Sequence, residues 1–171
     1  FEAARQFGLF ARRLSCLPLE AIRPSIPRFH DLDLRVAQFE RSLGAGNRNR
    51  ITASVGLIEQ ARANLGIAGA YRAALASGAL RPRLMHHDTK ISNVLFDART
   101  GKGICVVDLD TVMPGTLLSD VGDMLRTYLC PVDENHRDSS DIMIRPEIYT
   151  AIEAGYLDGM GDVLTGGERA L

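Results

Sequence analysis

The residues best suited to chemistry lie in two short segments near the middle of the chain. Residues 86–93, which we call the HHD loop, have the sequence HHDTKISN and precede an apolar run. Residues 106–110, VVDLD, close the next apolar run. An acid, a basic residue two positions on and an asparagine five positions on can place a base and metal ligands for phosphoryl transfer. Each motif alone often only caps a turn, but here the two occur in the right order, each beside its own strand. Phosphoryl transfer is therefore the leading hypothesis.

Each polar residue of these segments has a role that suits its chemistry. Asp88 is the candidate base, because phosphoryl transfer needs a carboxylate within reach of the acceptor hydroxyl. Lys90 is close enough in sequence to reach the γ-phosphate or the Asp88 carboxylate. Asn93 and Asp108 offer hard oxygen ligands for Mg²⁺, and through that metal they would contact the nucleotide phosphates. Asp110 shares a strand face with Asp108 by alternation and is either a second ligand or a substrate contact.

A second set of residues has structural roles that compete with functional ones. We expect His86 to pack inward and to hydrogen-bond the backbone, and His86 and His87 to point to opposite sides, which argues against a shared metal. Asp120 and Asp123 stand in the first turn of a predicted helix, where acids favour the helix dipole. We expect Asp120 also to brace the loop through backbone N–H groups, and Asp123 to be solvated or capping. Arg126 either forms an i,i+3 ion pair with Asp123, which is favoured, or contacts the substrate.

The composition is that of an ordinary soluble globular protein. Of 171 residues, 46% are hydrophobic, and 20 basic against 21 acidic side chains leave a net charge of −1. This balance provides no basic surface for nucleic acid or a membrane, and no apolar run is long enough to span a bilayer. Three cysteines without C-x-x-C spacing argue against disulfides and zinc, so we predict a cytoplasmic protein. One of them, Cys105, lies in an apolar run and is expected in the core.

The pattern along the chain predicts a single domain of the α+β class that is mostly helical. Residues 1–80 have helical periodicity, residues 81–113 hold the two chemical loops on short strands, and residues 114–171 are helical again. A small β-hairpin insert is thus expected to carry the chemistry. Predicted helices begin at the N-terminus, after the cap Asp31, near residues 50 and 68, at the cap Ser119, at Pro146, and at Thr165, which forms a capping box with Glu168; predicted strands are 84–86, 94–96 and 104–109.

Both segments resemble the aminoglycoside phosphotransferase and choline kinase family, which has the protein-kinase-like fold. The HHD loop is similar to that family's H-x-D-x-x-x-x-N loop, and VDLD at residues 107–110 is similar to its second metal motif. The longer string VDLDTVMPGTLLSDVGD, at residues 107–123, is most similar to the N-acetylhexosamine 1-kinase branch. Members of that branch use ATP to phosphorylate the anomeric hydroxyl of an N-acetylated amino sugar.

The resemblance implies Asp88 as the base, Asn93 and Asp108 as magnesium ligands, and Asp120 as the aspartate that steadies the loop. It also implies the C-terminal lobe of a kinase, since the chain has no Gly-rich phosphate loop and no strand lysine with a helix glutamate. Both ends look cut, so we expect a fragment without the N-terminal nucleotide-binding lobe, inactive or nearly so by itself. His87 is a departure, because Asn or Gly is more usual at that position.

The leading hypothesis is a small-molecule kinase that uses ATP and Mg²⁺ and acts on an N-acetylated amino sugar. One alternative is a kinase for an amino alcohol, choline or an aminoglycoside, which the acidic stretch 133–141 permits because a cationic acceptor favours carboxylates. A second alternative is an inactive kinase lobe that serves as a binding or scaffold module. A metal-dependent phosphohydrolase would need more clustered His and Asp ligands. The expected partner is a small-molecule acceptor, with neither nucleic acid nor membrane.

Overall fold

The computed structural model describes residues 1–132, 135–136 and 138–170, and it places them in two compact units. The first unit combines residues 1–26 with the chain from Arg81 onward, and the second holds residues 27–80. The architecture is mostly helical, with two small sheets. Asp133 and Glu134 of the acidic stretch lie outside the described residues.

The second unit consists of four helices: α2 (Leu32–Ala45), α3 (Arg48–Ala53), α4 (Val55–Ala63) and α5 (Ile67–Ala76). The predicted N-cap Asp31 is confirmed, because its carboxylate accepts a hydrogen bond from the Leu34 N–H at 2.9 Å. The single helix predicted from about residue 50 to 65 is wrong. The chain divides there at Ser54, whose backbone leaves the helical region, so two shorter helices form.

The helices of the first unit are α1 (Glu2–Leu14), α6 (Leu117–Tyr128), α7 (Pro146–Met160) and α8 (Gly166–Arg169). The predicted start at Pro146 is confirmed, as is the capping box of Thr165 and Glu168. The predicted cap Ser119 is wrong. The N-cap of α6 is Thr116, and Ser119 lies inside the first turn, where its hydroxyl donates to the Thr116 carbonyl at 2.6 Å.

Two antiparallel pairs of short strands carry the HHD loop. Strand β1 (Arg83–Met85) pairs with β4 (Met113–Gly115), and β2 (Val94–Phe96) pairs with β3 (Gly103–Val106). The two predicted strands that flank the HHD loop exist as β1 and β2, but they do not pair with each other, so the predicted hairpin that carries the loop is wrong. The hairpin that forms, β2 with β3, lies after the HHD loop, and β1 pairs with a strand that the sequence pattern did not predict. The predicted strand 104–109 ends at Val106, because Leu109–Thr111 form a short 3₁₀ turn instead.

The core of the first unit lies between α1, β1, α6 and α7. Its fully buried side chains include Phe7, Met85, Met124, Ile152 and Met160, each of which contributes roughly 1.5–3 kcal/mol on burial. The prediction that Cys105 lies in this core is wrong. Cys105 is exposed and its neighbour Ile104 is 65% exposed, so the β3 run is apolar without being buried.

The helices of the structure can be compared with what a membrane-spanning segment requires. Among the described residues, no helix has the length and apolar character that crossing a bilayer requires.

Candidate active site

The HHD loop leaves β1 through a strained backbone position. His87 has a φ of +67°, a left-handed conformation that costs about 1–3 kcal/mol outside glycine. Its imidazole Nε2 lies 3.2 Å from the Met113 carbonyl oxygen. The ring also fills the space where a side chain at Gly115 would stand, since a Cβ there would overlap it. Strand β4 therefore accommodates the bend that turns Asp88 away from β1.

Asp88, Lys90 and Asn93 lie together on this loop. The Lys90 Nζ is 3.0 Å from Asp88 Oδ1, and the Asn93 Nδ2 donates to Asp88 Oδ2 at 3.0 Å and to the Asp88 carbonyl at 2.9 Å. Both carboxylate oxygens of Asp88 therefore have a donor that fixes their direction. The side chain of Asp88 remains 22% exposed, so it is held in place and still accessible to a substrate. Because the amide nitrogen of Asn93 is engaged, its amide oxygen is the atom that can bind a cation.

The second loop begins directly beside Asn93. The Val107 N–H donates to the Asn93 carbonyl at 2.9 Å, so Asp108 enters the site as the next residue, with a left-handed φ of +61°. Asp110 lies in the 3₁₀ turn, and its carbonyl accepts from the Ser25 hydroxyl at 2.7 Å. The strand alternation that predicted a shared face for Asp108 and Asp110 does not apply, because the strand has already ended. Both residues are exposed.

The donor chemistry at this point suits a magnesium ion. Among the described residues, no group of three or more His, Cys, Asp or Glu side chains is arranged to hold a metal. Asn93 and Asp108, with Asp110 nearby in sequence, offer an amide oxygen and carboxylates. Mg²⁺ is commonly bound by one or two carboxylates, with water and substrate phosphates completing its octahedron. These oxygen donors are of the kind that Mg²⁺ takes, so the residues present could hold this ion.

A side chain of helix α6 holds the start of the HHD loop by accepting hydrogen bonds from the backbone of the loop. The buried carboxylate of Asp120 accepts the His86 N–H at 3.2 Å and the His87 N–H at 2.8 Å. Burial raises the pKa of Asp120 to about 7, although these two hydrogen bonds oppose the shift. His86 is also fully buried, and its Nε2 lies 3.0 Å from the Val107 carbonyl oxygen, which ties the two loops together. Burial lowers the pKa of His86, which favours the neutral imidazole.

The same helix also forms hydrogen bonds with Thr89, the residue that follows Asp88. Asp123 Oδ2 accepts the Thr89 N–H at 2.7 Å, and the Thr89 hydroxyl donates to the Asp120 carbonyl at 2.8 Å. The buried hydroxyl of Tyr128 donates to the Thr89 carbonyl, and burial raises its pKa, so it stays protonated. The prediction that Asp123 is solvated or capping is wrong, because its carboxylate binds the loop backbone at Thr89. The only available signal was its i,i+3 spacing from Asp120, which puts both carboxylates on one helix face.

A cavity of about 510 Å³ lies beside the HHD loop. We call it the loop cavity; the described residues that line it include Lys90, Ile91, Ser92, Arg126, Thr127 and Tyr128. Arg126 forms the predicted i,i+3 ion pair, with its Nη2 2.8 Å from Asp123 Oδ1. The loop cavity therefore borders both the residues next to Asp88 and the helix that positions them.

A comparison with known protein families identifies the family of the chain. The small sheets and the surrounding helices are compatible with a kinase-like lobe. A family model described as the phosphotransferase enzyme family matches residues 1–163. The chain belongs to this family, which places it among the phosphotransferases of kinase type.

Proposed function

We propose that the protein is an ATP-dependent phosphotransferase that acts on a hydroxyl group of a small molecule. The observation that carries this proposal is the Asp88 carboxylate, which is oriented by Lys90 at 3.0 Å on one oxygen and by Asn93 at 3.0 Å on the other. A carboxylate fixed in this way can accept the proton of an acceptor hydroxyl as that oxygen attacks the γ-phosphate. Family membership supports phosphoryl transfer as the reaction.

Each residue around Asp88 has its own role in the proposed reaction. Lys90 restrains the carboxylate and places positive charge near the transferring phosphoryl group. Asn93 and Asp108 would hold Mg²⁺, with Asp110 as a further ligand or a substrate contact. When bound, Mg²⁺ neutralises charge on the nucleotide phosphates. Asp120 and the buried His86 keep the loop backbone in place, so that the base is positioned before substrate arrives.

For the acceptor we propose an N-acetylated amino sugar, on the strength of the resemblance carried by residues 107–123 to the N-acetylhexosamine 1-kinase branch. The alternative acceptors are amino alcohols, choline and aminoglycosides, which carry a positive charge. Product analysis distinguishes them, because each acceptor gives a phosphorylated product of its own mass.

The test uses the full gene product that contains residues 1–171, with Mg-ATP and four acceptors: N-acetylglucosamine, N-acetylgalactosamine, choline and an aminoglycoside. Product is followed by mass. The variant Asp88→Asn should lower the rate by about 10²–10⁴-fold, the usual contribution of a general base. The same chemical change at Asp162, whose side chain is 83% exposed, is the matched control and should leave the rate unchanged. Full activity of Asp88→Asn would contradict the assignment of the base.

A further inference from the structure

We propose that Tyr128 is a positioning residue for the proposed reaction and that it acts through Thr89 and Lys90. Its hydroxyl holds the peptide group between those two residues, and this peptide group sets where the Lys90 ammonium lies against the Asp88 carboxylate. The inference rests on the proposed function, in which Lys90 restrains the base and places positive charge near the transferring phosphoryl group. It adds a residue of helix α6 that acts through the backbone of the HHD loop.

Thr89 is completely buried, and each of its polar groups is bound by helix α6. Its N–H donates to Asp123 Oδ2 at 2.7 Å, and its hydroxyl donates to the Asp120 carbonyl at 2.8 Å. Its carbonyl accepts a hydrogen bond from the Tyr128 hydroxyl. Buried polar groups are costly to leave without partners, so these three bonds strongly favour a single placement of Thr89 against the helix.

These contacts restrain the two peptide groups on either side of Thr89. The first, between Asp88 and Thr89, is bound at both ends, because the Asp88 carbonyl also accepts from Asn93 Nδ2 at 2.9 Å. The second, between Thr89 and Lys90, is bound at its carbonyl by Tyr128. A peptide group is planar, so holding its carbonyl also restrains the direction of the next Cα. Tyr128 therefore restrains the point from which the Lys90 side chain starts.

The position of the Lys90 ammonium depends on that starting point. A lysine side chain is long and flexible, and that of Lys90 is 47% exposed, so burial does not fix it. Its Nζ nevertheless lies 3.0 Å from Asp88 Oδ1. A rotation of the peptide group before Lys90 would be carried along the side chain and would move the ammonium relative to the base. A misplacement of about 1 Å can lower a rate by about 10²-fold.

Tyr128 has the surroundings that a fixed donor requires. Only 6% of the residue is exposed, and burial raises the pKa of its hydroxyl, so the group keeps its proton and remains a donor. Tyr128 is the last residue of α6, where Arg145 donates from Nη2 to the Tyr128 carbonyl at 2.6 Å and from Nε to the Leu129 carbonyl at 3.2 Å. The last carbonyl groups of a helix have no partner within the helix, so this arginine stabilises the turn that carries Tyr128.

The test compares Tyr128→Phe with Tyr156→Phe in the full gene product that contains residues 1–171, with Mg-ATP and the four acceptors named above. Both substitutions remove one hydroxyl from a buried tyrosine and keep its ring. The Tyr156 hydroxyl has no hydrogen-bond partner among the described residues, so Tyr156→Phe is the matched control. Tyr128→Phe should lower kcat by about 10–100-fold while the KM values for Mg-ATP and for the acceptor change by less than about threefold. Tyr156→Phe should change none of these parameters.

A second comparison shows whether Tyr128 acts through Lys90. In the background of Lys90→Gln, Tyr128→Phe should lower kcat by less than about twofold, because the ammonium that it positions is already absent. A role in the stability of α6 alone would give the same factor in both backgrounds, and that result would overturn the inference.

A measurement that needs no activity separates this inference from the proposed function. Hydrogen–deuterium exchange of residues 86–93 reports on the backbone of the HHD loop. Tyr128→Phe should speed this exchange by about tenfold, as expected for one lost hydrogen bond, and Tyr156→Phe should leave it unchanged. If no acceptor is phosphorylated but exchange rises in this way, the restraint by Tyr128 holds and the proposed function fails. If phosphorylation proceeds and Tyr128→Phe keeps the wild-type kcat, the inference is overturned and the function stands; unchanged exchange in Tyr128→Phe also overturns it.

Discussion

At the scale of single residues, the backbone of the HHD loop is fixed by buried acceptors on helix α6. The N–H groups of His86 and His87 point at one carboxylate, that of Asp120, which is fully buried. Leaving a buried N–H without an acceptor costs about 1–3 kcal/mol, so these bonds make the turn before Asp88 strongly preferred. The same burial makes the negative charge of Asp120 expensive, and this conflict is the reason why its pKa is raised.

The raised pKa of Asp120 predicts a pH dependence of stability with a definite sign. Between the ordinary pKa of 3.8 and about 7, the folded protein keeps a proton that the unfolded chain has released. The contribution of Asp120 to the free energy of unfolding therefore falls as pH rises through this window, by up to about 1.4 kcal/mol per pH unit, and levels off above it. Denaturant unfolding of the wild type and of Asp120→Asn at pH 5, 6, 7 and 8 measures this contribution of Asp120.

The comparison with Asp120→Asn is needed because His86 contributes with the opposite sign. Its pKa is lowered, so protonation of the unfolded chain makes stability rise with pH. That contribution is common to both proteins and cancels in their difference. The advantage of the wild type over Asp120→Asn should shrink between pH 5 and 7. Parallel curves would show that Asp120 is ionised throughout this range.

The sequence revealed the side chains of the site better than the contacts that hold them. The spacing of Asp88, Lys90 and Asn93 within six residues made their proximity predictable from the sequence. The contact of Asp123 with Thr89 joins positions 34 residues apart, and no local pattern specifies which acceptor a backbone N–H will find. The left-handed φ of His87 was not predicted, although the family's usual Asn or Gly at that position, the residues that adopt this conformation most readily, was a signal for it.

At the scale of elements, helices α1 and α7 approach so closely that glycine is required at their contact. A Cβ at Gly159 would overlap the Arg5 carbonyl oxygen and lie 2.7 Å from the Leu9 nitrogen. A Cβ at Gly155 would overlap the Phe1 carbonyl oxygen. Backbone atoms cannot move aside as a flexible side chain can, so this contact sets the distance between the two helices.

This contact predicts opposite effects for the same substitution at two helical glycines. Gly159→Ala should lower the free energy of unfolding by about 1–3 kcal/mol, because overpacking outweighs the gain in helix propensity. At Gly122, in α6, an added methyl group would have no atom within 4 Å. Gly122→Ala should therefore raise the free energy of unfolding by about 0.5–1 kcal/mol. Thermal and denaturant unfolding of both variants measure the difference. A stabilised Gly159→Ala would mean that the two helices are not held at this distance.

Prediction of the elements from sequence succeeded where local chemistry decides and failed where distant pairing does. Asp31, Pro146 and Thr165 begin helices as predicted, because capping depends on residues within one turn. Strand β4 was missed because its sequence, Met113-Pro-Gly115, holds a proline and a glycine, which are depleted in strands, and because its partner β1 lies about 30 positions earlier. Only the pairing with β1 identifies these residues as a strand.

At the scale of the whole molecule, the first unit is held together by contacts between parts of the chain that are far apart in sequence. Arg83, at the start of β1, reaches Glu168 in α8 with a double hydrogen bond of 2.8 and 2.7 Å. Its guanidinium also donates to the Val163 carbonyl at 2.7 Å, and the Glu168 carboxylate accepts the Thr165 N–H at 2.9 Å. The side chain of Glu168 is fully buried and that of Arg83 is 12% exposed, so this pair is shielded from solvent.

The buried pair predicts a large loss of stability when one partner is removed. Burial alone would raise the pKa of Glu168, but the hydrogen bonds from Arg83 and the Thr165 backbone outweigh it and lower the pKa. Glu168→Gln should therefore reduce the free energy of unfolding by about 3–5 kcal/mol at pH 7, because it leaves a buried guanidinium unpaired. The lowered pKa means that this stabilisation is present above the ordinary pKa of 4.5 and is lost as pH falls through the folded value.

The decisive comparison is a double-mutant cycle with an exposed pair as reference. Arg83→Met and Glu168→Met should each destabilise strongly, while the double variant should lose less than their sum, because it leaves no buried charge without a partner. In the exposed Arg12–Asp162 pair, Asp162→Asn should cost less than about 1 kcal/mol. Additive effects at Arg83 and Glu168 would mean that the two charges are solvated separately. A strong coupling would show that the start of β1, which leads into the HHD loop, depends for its position on the C-terminal end of the described chain.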